Sequence, residues 1–330
     1  MKLLRRHFLR LAAASATLPA MPSILRADTY PSRTITAIVP FAAGGPADIF
    51  ARLIAGSIQP ILGQSVVIEN VGGAAGSTGA GRVARAEGDG YTLLITPGFS
   101  THVINPVIYK LDYDVVADFE PVGLLVFLPN MMVSRADIPA QDLKGLIGWL
   151  KDNPDKALQG TSGVGSVGHL AGLLFQKQTG TRYQFVPYRG LGPALQDLVA
   201  GRVDLMIDVP LNSLPYVRDG KLRAYAVLAQ HRLALAPDIP TSAEAGVSGA
   251  EVPNWYCMFA PKGTPKEIIG KLNAACVQAL ATPELQNRIT NLGLDPVPRD
   301  QLTPEALGAR QRADVAKWTP IIKEAGIKPE

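Results

Sequence analysis

The feature that most constrains this chain is a recurring order: a β-branched apolar run, a glycine turn, then a helix-period segment. TITAIVPF (34–41) ends at Gly44-Gly45, and DIFARLIAGSIQPIL (48–62) follows with helical apolar spacing. SVVIENV (65–71) leads into GGAAGSTGAGRVARA (72–86), a glycine-rich turn entering a helix, and YTLLITPG (91–98) is a third strand. This βαβαβ pattern predicts a parallel, doubly wound sheet. FEPVGLLVFLPNMMVSR (119–135) is a long apolar extended stretch broken at Pro129, expected to cross into a second half. That half has helices at 142–154, 169–180 and 193–203, a strand followed by a glycine-rich loop at 157–168, and strands at 182–190, 204–209 and 221–229, with Gly180 as a helix stop. NWYCMFAPKG (254–263) is strand-like and expected to cross back, and amphipathic helices at 265–283 and 304–326 complete the chain. The expected fold class is α/β with two lobes of doubly wound sheets joined by two crossing strands. Lobe 1 is discontinuous (28–127 and 254–330) and lobe 2 covers 128–253. Ligands of open α/β sheets bind outside the strand C-terminal ends, here the cleft between the lobes.

The first residues change the charge argument. MKLLRRHFLR is basic, and LAAASATLPA after it is mildly apolar and rich in small residues, which is the layout of an export signal. Arg5-Arg6 before His7-Phe8-Leu9 is similar to a twin-arginine signal, an ordinary secretory leader with two arginines being the alternative. Cleavage is expected after Ala27, with Ala20 second. Residues 1–27 carry five basic side chains and no acid, so the formal net charge of +4 falls to −1 without them. The basic pI therefore gives no argument for nucleic-acid binding, and no nucleic-acid partner is expected. About 300 residues remain, enough for two lobes. Cys257 and Cys276 sit in apolar contexts, where two buried thiols are expected ahead of a disulfide, and their spacing fits no metal or redox motif.

Glycine-rich turns at 44–48, 72–79 and 160–168 precede helices, and none contains Lys or Arg. Each can present backbone N–H groups and the positive end of a helix dipole. A carboxylate suits such donors better than a phosphate, which more often recruits Arg or a P-loop Lys. Gly163-Val164-Gly165-Ser166-Val167-Gly168 matches G-x-G-x-x-G, but the next strand ends in Tyr188-Arg189 rather than an acid, and an exported chain meets little nicotinamide cofactor. No cofactor is expected. No G-x-S-x-G elbow occurs, and His102, His169 and His231 are scattered without metal-ligand spacing, so neither catalysis nor a metal is expected. His169 starts a helix after the 160–168 loop, and a cleft-facing and a structural role fit it equally.

Several long motifs in order resemble the tripartite tricarboxylate transporter substrate-binding proteins, the TctC or Bug (Bordetella uptake) family. They are YPSRTITAIVPFAAGGPADIFAR (30–52), VVIENVGGAAGSTGAGRVARAEGDGYTLL (66–94), GTSGVGSVGHLAGLLF (160–175), VPYRGLGPALQDLVAGRVDLM (186–206), GKLRAYAV (220–227), PDIPTSAEAG (237–246) and NWYCMFAPKGTP (254–265). The resemblance implies a periplasmic, type II-like Venus-flytrap receptor that closes over a small carboxylate and hands it to membrane transporter subunits, and it implies no enzyme. It implies that Phe41, Gly44, Gly45, Pro46, Ala47 and Asp48 hold one carboxylate through backbone N–H groups and water. It places Thr161, Ser162, Gly163, Gly165 and Ser166 opposite, with Gly98, Ser100, Thr101, Tyr188 and Asp208 on the remaining walls. This chain has Ala42-Ala43 where many members have prolines, and Pro46-Ala47 where Ser-Thr is common, so a hydroxyl is lost while the amides stay.

Individual roles stay open at this level. Asp48 reads first as a helix N-cap and second as a ligand contact. Asp208 fits a turn cap and a contact to a ligand hydroxyl, ammonium or water equally. Tyr188 is a hydroxyl donor or a packed aromatic, and Ser162 and Ser166 are donors or turn residues. The ligand classes left open are mono- and dicarboxylates, aromatic acids and amino acids. The expected receptor is a monomer, with a sensor subunit or a secreted enzyme on the same scaffold as alternative functions.

Overall fold

The structure is a computed structural model that describes residues 30–327, so the expected leader at 1–27 lies outside the described residues. Two sheets organise the chain. The first, in the order β11-β4-β10-β3-β1-β2, contains β1 (Ile35–Val39), β2 (Val66–Asn70), β3 (Thr92–Pro97), β4 (Phe119–Phe127), β10 (Trp255–Pro261) and β11 (Asp295–Pro296). The second, β7-β6-β8-β5-β9, contains β5 (Met131–Arg135), β6 (Leu158–Thr161), β7 (Gln184–Pro187), β8 (Leu205–Asp208) and β9 (Leu222–Val227). The βαβ signal is met where it was strongest: β1 pairs in parallel with β2 and β3, and β6 with β7 and β8.

Neither sheet is wholly parallel, which corrects the simplest reading of the alternation. The strand that enters each half runs antiparallel: β5 pairs antiparallel with β8 and β9, and β10 with β3 and β4. The reason is geometric. The connection from β4 to β5 is three residues long, too short for the crossover that a parallel neighbour in one sheet requires, so the chain passes straight from one sheet to the other. The two passages lie side by side, with Leu128 N–H donating to Asn254 O at 2.9 Å.

The helices cover both sheets: α1 (Pro46–Leu62), α2 (Ser77–Ala84), α3 (Asn105–Ile108), α4 (Leu143–Asp152), α5 (Val167–Thr179), α6 (Leu191–Val199), α7 (Pro210–Arg218), α8 (Lys266–Leu280), α9 (Pro283–Asn291) and α10 (Pro304–Glu324). A π-helical turn, Phe99–Ile104, joins β3 to α3. Apolar spacing foreshadows α1, α5, α8 and α10. It does not foreshadow α7 or the π turn, PLNSLPYVR and FSTHVI. Ile35, Ile38, Leu93, Leu94 and Phe259 are fully buried, as expected of strands covered on both faces. A second apolar cluster, including Met131, Met206, Leu198 and Leu214, lies between the second sheet and α6 and α7. Cys257 and Cys276 are buried free thiols, not a disulfide, and burial pushes both above the ordinary thiol range.

Candidate functional site

The loop after β1 enters α1 two residues earlier than the spacing suggested. Pro46 takes the first helical position, where its missing N–H costs nothing, and Gly45 in extended conformation (φ −80°, ψ 171°) is the N-cap. Asp48 is therefore not the N-cap but the third helical residue. Its carboxylate Oδ2 accepts from Gly44 N at 2.9 Å and from Arg52 Nε at 3.0 Å. Burial raises its proton affinity, but the Arg52 and Gly44 hydrogen bonds and the Arg52 charge outweigh burial, so the carboxyl sits below its ordinary range. Gly44 has φ +78°, the left-handed region that a residue with a Cβ resists. Its N–H is consumed by Asp48. In the first turn of this 17-residue helix the amides of Ala47 and Asp48 have no partner among the described residues.

The opposite loop follows β6. Ser166 is the N-cap of α5, and its hydroxyl accepts from His169 N at 3.3 Å. His169 Nδ1 in turn accepts from Gly165 N at 3.0 Å, which leaves its proton on Nε2. Burial lowers the His169 pKa to about 4, so the ring is neutral at physiological pH and acts as a fixed acceptor. Of the two roles open to it, the structure assigns the structural one. Val167 and Gly168 are the first-turn amides here without a partner among the described residues. Thr161 is buried, its hydroxyl 3.4 Å from Gly163 O, whereas Ser162 is half-exposed and its hydroxyl has no partner among the described residues.

The turn after β3 supplies Gly98, Ser100 and Thr101. Gly98 lies against the ring of Trp255, the first residue of β10, and a Cβ there would overlap the indole. The indole is held in turn by Nε1 donating to Asp314 Oδ2 on α10 at 3.0 Å. Gly98→Ala is therefore expected to destabilise the protein by about 3 kcal/mol, by overpacking against a fully buried ring. Urea denaturation would measure it, and a midpoint equal to wild type would contradict the close approach. Thr101 is fully buried, with its hydroxyl among Pro97 O, Thr96 Oγ1 and His102 Nδ1, so it faces inward rather than toward a ligand. Ser100 is the half-exposed hydroxyl of this turn.

Two further expected residues lie in the second half. The Tyr188 hydroxyl donates to Asp197 Oδ2 at 2.8 Å on α6, so its donor is spent within its own half. Burial and the Asp197 carboxylate push its pKa up to about 12. Asp208, at the C-terminal end of β8, is 1 % exposed. Its Oδ1 accepts from Asn212 Nδ2 at 3.2 Å on α7, while Oδ2 has no partner. Burial without a counter-charge raises its pKa to about 7, against weaker opposition from the Val209 amide and the Asn212 and Ser213 side chains.

The two halves meet at these loops. Gly165 packs against Ile108 at the end of α3 so closely that a Cβ would overlap its Cδ1. Lys177 of α5 pairs with Glu324 of α10 at 2.7 Å, and His231 Nε2 lies 3.0 Å from Asp295 Oδ2 of β11. Among the described residues no group of three or more His, Cys, Asp or Glu could hold a metal ion, and no helix is long and apolar enough to cross a membrane.

The model for the tripartite tricarboxylate transporter family receptor matches residues 50–327. The chain belongs to this receptor family. Solved structures agree over nearly the whole chain. The periplasmic binding protein BugD is 40% identical, with a TM-score of 0.81 over 91% of this chain and 100% of its own. MatC from Rhodopseudomonas palustris, with bound malate, is 38% identical at a TM-score of 0.80, over 89% of this chain and 100% of its own. An R. palustris protein with adipate is 36% identical at a TM-score of 0.83, over 91% of this chain and 100% of its own. The α/β fold of two mixed sheets is thus that of periplasmic solute-binding receptors. Sequence reasoning passed over two residues beside this loop, Arg52 in ADIFAR and its partner Asn70 at the end of β2. The i, i+4 spacing of Asp48 and Arg52 was the available signal.

Proposed function

We propose that this receptor captures a small organic carboxylate between two lobes, 28–127 with 254–330 and 128–253, and delivers it to a tripartite tricarboxylate-type membrane transporter. The observation that carries this reading is a pair of long helices whose first turns start at the strand ends of the two halves. Each start retains two amides without a protein partner: Ala47 and Asp48 on α1, Val167 and Gly168 on α5. Amides and helix dipoles of this kind attract one carboxylate in a buried crevice, where charge has to be hydrogen-bonded to be tolerated. Ser100 and Ser162 are the side-chain donors for its remainder, and the backbones of Phe41, Gly45, Gly98 and Gly163 shape the walls. Thr101 and Tyr188 serve instead as supports, because their hydroxyls are already engaged, whereas the Ser166 hydroxyl accepts from His169 N and keeps its own hydrogen for a ligand.

The malate and adipate of the R. palustris relatives make dicarboxylates the first ligands to test. The leader directs the chain to the periplasm through the twin-arginine route, where it acts as a monomer without cofactor and transforms nothing. The test is a thermal-shift screen of organic acids on the mature protein, followed by calorimetry. A ligand bound with roughly micromolar affinity, about −8 kcal/mol, raises the melting point in a concentration-dependent way. A panel of mono-, di- and aromatic carboxylates that leaves the melting point unmoved would overturn the reading.

A further inference from the structure

The carboxylate of Asp48 stands beside the amides expected to hold a ligand. An Asp at the third helical position reaches back to the amides of its own helix start, as the acidic member of a capping box does. Its negative charge also offsets the helix dipole that attracts an external anion. Asp48 would therefore compete with ligand for the start of α1 unless something held and neutralised it. It is 4 % exposed, and its Oδ1 makes no hydrogen bond.

Arg52 does the holding, one turn further along α1. Its Nε lies 3.0 Å from the Asp48 carboxylate and its Nη2 donates to Asn70 Oδ1 at 3.2 Å. Asn70, the last residue of β2, donates from Nδ2 to Phe41 O at 3.1 Å. Gly44 N donates to Asp48 at 2.9 Å. The hydrogen bonds thus run from the Phe41 carbonyl through Asn70, Arg52 and Asp48 to the Gly44 amide, and they tie both ends of the glycine turn to β2 and α1.

We infer that Arg52 is a positioning residue for the carboxylate site, one that keeps the Asp48 carboxylate turned to Gly44 and so leaves the Ala47 and Asp48 amides open to an external acid. The inference rests on the proposed receptor function for its ligand, but the turn geometry itself does not. Asp48 acts as an internal anion, and Arg52 with Asn70 decides where that anion points. A guanidinium is suited to this because one planar fork meets two partners at once, which the single ammonium of lysine does not.

The test has two arms. Without any ligand, amide exchange of Gly44 followed by NMR is expected to quicken about tenfold in Arg52→Ala relative to wild type. Unchanged Gly44 exchange in Arg52→Ala would overturn the inference. With malate as the probe in calorimetry at pH 7.5, Arg52→Ala is expected to weaken binding about tenfold. Adding Asp48→Asn should recover most of that loss, because the competing charge has gone. If Arg52 merely stabilised the fold, the double variant would bind no better than Arg52→Ala, and that result would sink the proposal. A wild-type protein that bound neither malate nor any other acid would instead overturn the receptor reading, and the exchange arm would still decide the role of Arg52.

Discussion

Gly45→Val is expected to abolish binding of the organic acid, a loss of at least about 100-fold or roughly 3 kcal/mol, while the protein stays folded. The two effects separate because of where the side chain would go. Gly45 has an ordinary extended backbone, and a Cβ there meets only Ala42 O, at 3.4 Å. The fold therefore accommodates the substitution at a cost of about 1 kcal/mol, that of a poor N-cap residue. The isopropyl group, however, stands at the start of α1 immediately before the Ala47 and Asp48 amides, and it holds a carboxylate off them. Calorimetry with an acid found by the thermal screen measures the first effect and urea denaturation the second. Wild-type affinity in a folded Gly45→Val protein would refute capture by backbone amides at this helix.

Asp208→Asn is expected to stabilise the protein at neutral and alkaline pH by up to about 4 kcal/mol and to leave it unchanged near pH 4. The native carboxyl has a pKa of about 7, raised by burial, whereas an unfolded Asp titrates near 4. Below pH 4 both states are protonated and the group contributes nothing. Between pH 4 and 7 the unfolded state ionises while the native state keeps its proton, so unfolding releases a proton and stability falls as pH rises. Above pH 7 both are ionised and the penalty is constant, about 1.4 kcal/mol per pH unit over the interval between the two pKa values. Asn keeps the shape and cannot ionise, so the slope disappears with it. Urea titrations of both proteins from pH 4 to 8 test this. A wild-type stability that is flat over that range, or an Asp208→Asn protein less stable at pH 8, would contradict the assignment.

The carboxyl at Asp208 also shows what a one-dimensional pattern conceals. From sequence it is a polar residue closing a strand, suited equally to a cap and to a ligand contact. Its one side-chain partner, Asn212, lies on α7, a helix whose sequence, PLNSLPYVR, carries weak apolar spacing and two prolines. Tyr188 behaves alike: its hydroxyl was available on paper, yet nine residues later on α6 lies Asp197, which takes it. Thr101 was expected on a wall, and the π turn rotates it inward against Thr96 and His102. In each case a partner distant in sequence or an irregular turn, neither of which leaves a periodic signal, decided the orientation.

The sequence by itself determined the βα alternation, the glycine turns between strand and helix, the passage between halves near Pro129 and the order of motifs that marks the receptor family. These are local properties: β-branched runs, helical spacing and residues that permit tight turns act within a few positions of one another. Only the tertiary structure decided that β5 and β10 run antiparallel inside their sheets, that Asp48 is turned to Gly44 by Arg52 and Asn70, and that Gly98 lies against Trp255. Those outcomes depend on contacts between residues up to 165 positions apart, as from Leu94 to Phe259, which form only when distant segments of the chain pack together within each half.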